Sequence, residues 1–124
     1  MALVKPTREF VDGDPNVILW TWALTSADTT GYGVKFVQHA DLAWQATGDF
    51  GSTGVCAAQG SNTDVDADYG AMTNSSGGSA ITYSAAGAPK QSVERPLFVR
   101  PKMTTAGTNA AVSATLLMRR NPGK

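Results

Sequence analysis

A chain of 124 residues is about one domain long and can bury one core. Zero formal net charge with 42% hydrophobic residues excludes a disordered polyelectrolyte, and no apolar run approaches the roughly 20 residues of a membrane-spanning helix. Its lone cysteine, Cys56, excludes an internal disulfide framework and reads as a small buried hydrophobe beside Val55 and Ala57.

Alanine supplies 18 of the hydrophobic residues, whereas Val, Ile, Leu and Phe together number only 23. Such a thin core predicts a folded domain of modest stability that gains from a partner. Met1 to Lys5 lacks the basic start and apolar run of a secretion leader, so cytoplasmic synthesis is expected.

In chain order, residues 1–16 carry Pro6 and the turn series Asp12-Gly13-Asp14-Pro15-Asn16, which predicts an extended N-terminal arm closing in a turn. Val17 to Leu24 is the richest strand candidate, and alternation places Ile18, Trp20, Trp22 and Leu24 on one face. Val34 to His39 reads as a second strand. Asp41 to Thr47 is either a strand or one helical turn capped by Asp41, with Trp44 ambiguous between them.

The Gly- and Ala-rich run from Gly51 to Gly60 implies a strand close to its neighbours, with Val55 and Ala57 sharing a face. Residues 61–79 read as a long polar loop or hairpin, expected to be mobile and solvent-exposed, and Ala80 to Tyr83 as a short strand. Two prolines, Pro96 and Pro101, confine the strand between them to a sheet edge or a short pairing. From Ala110 to Arg120 alternation is clearest, with Val112, Ala114, Leu116 and Met118 inward. Seven or eight strands predict an all-β sandwich, jelly-roll-like, over residues 17–120, with residues 121–124 as a tail.

Chemistry-bearing patterns are sparse. His39 is the only histidine and stands two residues from Asp41, but no Gly-x-Ser-x-Gly elbow accompanies it, so no enzyme is expected. Asp64, Asp66 and Asp68 are spaced like the first ligands of a calcium loop. The match then fails, because Tyr69 stands where the loop needs Gly and Ser75 where it needs Glu, so neither a metal nor any other cofactor is expected. Asn74-Ser75-Ser76 matches a glycosylation sequon.

Charge is segregated along the chain. From Lys90 onward there are seven basic residues against one acid, and before it three basic residues against nine acids. Either strands intermix these charges in space, or the basic part meets an acidic partner. Phe98 is the sole aromatic in the basic part, so nucleic acid is not an expected partner, and neither is a membrane.

Several segments resemble those of small tailed-bacteriophage virion proteins, in particular capsid decoration (cement) proteins. They are Val55 to Asn62 ending in Gln-Gly-Ser-Asn, Ala80 to Gly87 with its Ser-Ala-Ala-Gly turn, Arg95 to Pro101 containing Leu-Phe-Val-Arg-Pro, and Ala111 to Arg120 closing on Arg-Arg. The likeness covers about residues 52–120; the longer Asp64 to Gly78 segment departs from it. It implies a viral structural protein on the outer surface of an icosahedral head, bridging major capsid protein subunits and itself a homodimer or homotrimer. Charge and arm position nominate Lys5, Arg8, Phe10, Arg95, Arg100, Lys102, Arg119 and Arg120 as partner contacts, with Arg100 and Arg119 equally open to pairing with Asp on adjacent strands. Rival readings are another phage head–tail or tail protein, a carbohydrate- or receptor-binding sandwich presenting Trp44, Tyr69 and Tyr83, and a small hydrolase built on His39.

Overall fold

The computed structural model describes residues 3–35 and 39–120. Residues 36–38 of the expected second strand, the His39 side chain and the tail at 121–124 lie outside the described residues. Ten strands are described: β1 (Thr7–Phe10), β2 (Val17–Thr25), β3 (Val34–Lys35), β4 (His39–Asp49), β5 (Val55–Ser61), β6 (Gly70–Ala71), β7 (Thr82–Tyr83), β8 (Lys90–Gln91), β9 (Phe98–Thr105) and β10 (Ala111–Arg120). Short 3-10 turns cover Val11–Gly13 and Asp66–Asp68.

Strict alternation makes β10 the middle of the fold: Val112, Ala114, Leu116 and Met118 are all buried, while Ser113, Thr115, Leu117 and Arg119 face outward. It pairs antiparallel with β2 on one side and β4 on the other, in the sheet order β1-β2-β10-β4-β8. Asp41 to Thr47 is thus strand, and Trp44 belongs to the core. Trp22 and Trp44 reach over β10 from its two neighbours and stack at 6.4 Å with an interplanar angle of 19°. Ala114 beside Trp22 and Ala46 on β4 leave room for the two indoles.

The second sheet has the order β3-β9-β5-β6, with β7 also pairing β5. Val99, Met103, Cys56, Ala58, Ile81 and Tyr83 close the core from this side, giving an all-β sandwich of two antiparallel sheets. The Tyr83 hydroxyl lies 2.7 Å from the Ala88 carbonyl and 3.0 Å from that of Trp44, tying the second sheet to β4. Glycine is obligatory at 54 and 107, where an added Cβ would collide with the Phe50 carbonyl in the turn after β4.

Three expectations are corrected by the structure. Residues 9 and 10 and their neighbours in the expected arm are built into the domain: β1 pairs with β2, and Val4 exchanges backbone hydrogen bonds with Thr30 (2.9 Å) and Tyr32 (2.7 Å). Strand β9 is not an edge but lies between β3 and β5, with the short pairing to β3 that its prolines imply and with Pro101 fully buried in it. Proline is tolerated there because β3 pairs only Phe98 and Val99; at Pro101 the neighbour is Gly31, whose N–H needs only the Pro101 carbonyl (2.9 Å). On β5, Cys56 and Ala58 join the core cluster, and Ala57 is buried as well. Finally, 61–79 is largely exposed but organised, holding a 3-10 turn, β6 and Met72, which is 1% exposed.

Candidate binding surface

Basic residues nominated from the sequence separate into two groups once placed. Arg100 is 4% exposed. Its Nε donates to Gln59 (3.0 Å), its Nη2 pairs with Asp66 (2.7 Å), and its guanidinium lies 3.8 Å over the Tyr69 ring. It is a structural latch and not a partner contact. Arg119 pairs with Asp41, its cross-strand neighbour on β4, at 2.6 Å, although 60% of its side chain is exposed. Arg120 donates through N and Nε to the carbonyl and side chain of Asn16, closing the start of β2 on the end of β10. Both ion pairs join the basic last part of the chain to its acidic first part, so the charge segregation seen along the sequence is partly cancelled in space. Lys102 is half-buried and lowers the Asp66 pKa from the same side, and Arg95 is exposed.

The second group is Lys5, Arg8 and Phe10, all exposed on the N-terminal segment. Register explains the geometry. Arg8 faces Trp20 and Phe10 faces Ile18, so all four project from the same sheet face as the buried Trp22 and Leu24. Cover by the second sheet runs out at β2, where Ile18 and Trp20 are only half-buried, and on β1 Phe10 is 39% exposed. The inner apolar face therefore continues past the sandwich as a ledge. Arg8 lies 4.8 Å over the Phe10 ring, a cation and an aromatic displayed together. Leu3 and Tyr32, two further exposed apolar side chains, adjoin this segment through the Val4–Tyr32 hydrogen bond. The ledge was half legible: alternation identifies the face, but only the placement of the second sheet shows where that face leaves the core.

The calcium-like spacing does not make a site. Asp64 accepts from the Tyr69 hydroxyl, Asp66 pairs with Arg100, and Asp68 accepts from Thr63 Oγ1 (2.7 Å), so the three carboxylates serve three different partners. Among the described residues no group of three acidic, His or Cys side chains is placed to hold a metal ion. Arg100 holds the Asp66 carboxyl below its ordinary pKa, by hydrogen bond first and charge second. Gly33 leaves space for the Tyr69 hydroxyl and Asp64, which lets this loop settle on the domain.

The aromatic trio of the carbohydrate reading shares no exposed face. Trp44 and Tyr83 are buried, and Tyr69 lies under the Arg100 guanidinium. Between the sheets a gap of about 10 Å³ is lined by Trp44, Cys56, Ile81 and Tyr83 among others, room for about one water. Burial pushes the Cys56 thiol up to about 12, far from thiolate reactivity at neutral pH. Comparisons with protein-family models, curated proteins and solved structures return no match for the chain.

Proposed function

We propose that the chain is a structural assembly protein that decorates the outer surface of a phage head, bridges major capsid protein subunits and attaches through the β1 ledge. The observation that carries this reading is the Arg8–Phe10 pair on an exposed edge strand, where the inner apolar face runs out from under the second sheet. Aromatic and arginine side chains at well-packed positions supply most interface binding energy. Lys5 and Arg8 add positive charge, which suits an acidic shell surface and speeds encounter with it. Virion location follows from the same reading.

Co-sedimentation with shells lacking the protein tests it. The chain pellets with shells, and the double variant Arg8→Ala/Phe10→Ala binds roughly 30- to 700-fold more weakly, at about 1 to 2 kcal/mol for each of the two hot-spot side chains. Undiminished binding by a folded double variant contradicts the proposal. Substitution is preferable to deleting residues 1–16, because deletion would also strip β1 from β2.

A further inference from the structure

The outward face of the first sheet is unusual for a surface in water. At its middle, Leu19 and Thr21 on β2, Thr115 and Leu117 on β10, and Ala43 and Gln45 on β4 stand side by side in register without a charge among them. Leu117 lies directly between Leu19 and Ala43. Charges occur only at the ends of the long strands and on the flank: Arg119 with Asp41 at one end, Asp49 at the other, and Glu9 on β1. We infer that this face is a self-association surface on which a second copy of the chain stacks about a two-fold axis, with the strands of the two copies antiparallel. The inference gives the homodimer of the assembly reading a specific face, and rests on that reading only for its purpose.

Three observations select a second copy as the occupant. The first is area. The three long strands β2, β10 and β4, spaced about 4.8 Å apart with nine residues rising about 3.4 Å each, and the four residues of β1 beside them span roughly 500 Å², or about 1,000 Å² for two copies, the area a weak but specific interface needs. The second is charge. An axis crossing β10 at Thr115 lays each Arg119 over the Ala111 end of the other copy, next to Asp49. Arg119 is 60% exposed and points from the same face, so it can bridge its own Asp41 and the second copy's Asp49. The third is the poor alternative at the sheet edge. Two-fold antiparallel pairing of β1 with itself, centred on Arg8 or on Glu9, sets two arginines or two glutamates directly opposite, which disfavours edge-to-edge growth.

Multi-angle light scattering on the free full chain, without shells, reads the result. A concentration-dependent dimer is expected, weakened by added salt and at least tenfold by Leu117→Glu. A short bis-maleimide should link two copies through Thr115→Cys, since Cys56 is buried and its thiol is protonated. Thr115→Cys disturbs little, so the crosslink remains decisive if Leu117→Glu does not fold. A monomer at every concentration, a dimer indifferent to Leu117→Glu, or crosslinking through Arg8→Cys in place of Thr115→Cys would overturn the inference. Phe10→Ala should leave the dimer intact while lowering shell binding, so failure of one surface is separable from failure of the other.

Discussion

Arg100 shows how a residue chosen for its charge can turn out to be architecture. Its guanidinium is buried between Gln59, Asp66 and the Tyr69 ring, and no sequence pattern marks a partner 34 positions away in a 3-10 turn. Arg100→Ala is expected to cost about 2 kcal/mol, chiefly through lost stacking, packing and the Gln59 hydrogen bond, since Asp66 is exposed and its ion pair is screened. Urea unfolding checks this, and a loss below about 0.5 kcal/mol would contradict it. The pH dependence has a definite sign. Asp66 and Glu94 both have folded pKa values held below their ordinary ones, Asp66 by Arg100 and Glu94 by the Thr73 hydroxyl and N–H. Their contribution to stability is present above the unfolded carboxylate pKa and is lost as pH falls through the lower folded values. Thermal melts from pH 6 downward should therefore keep this contribution until pH drops below about 4, and Arg100→Ala should flatten that acid limb. Cys56 should resist thiol reagents at pH 8 until the chain unfolds, a protection measured by comparing labelling with and without denaturant.

At the scale of elements, β10 was the most legible, because four alternating apolar residues on a single strand leave little freedom about which face is buried. Leu116→Ala, at a fully buried position, is expected to cost about 2 to 5 kcal/mol, and a substantially smaller loss in denaturant unfolding would count against β10 as the core's centre. The β2 alternation was equally readable as a face, yet its two halves differ in fate: Trp22 and Leu24 are sealed, whereas Ile18 and Trp20 run out from under the second sheet. Local pattern specifies a strand's faces, and only long-range pairing decides which stretch of a face is covered. The same limit bears on β9, whose pairing with β3 is as short as its prolines imply but which is not an edge strand. Proline argues for an edge, but here the neighbour at Pro101 is a loop that asks only for a carbonyl. It also accounts for Met72, whose burial depends on how the polar 61–79 segment folds back on β5. On the ledge proposed for binding, Lys5, Arg8 and Phe10 are readable from composition and position, while Tyr32 and the neutral outer face emerge only from register.

For the whole molecule, the described residues place two different surfaces on one sheet. The ledge combines aromatic and cationic side chains at the end of a covered apolar face, and the outer face is flat, uncharged at its centre and framed by residues that can match a second copy. A small domain gains stability from each such contact, since association stabilises the folded chain by mass action. The melting temperature should accordingly rise with protein concentration, and rise further on saturating shells; a concentration-independent melt in the free chain would speak against self-association. The most direct test of the central claim is a cryo-EM map of intact phage particles. It should place this chain on the outer shell with Arg8 and Phe10 seated against the major capsid protein. Density for the chain only in the tail or neck, or in no particle at all, would contradict the account.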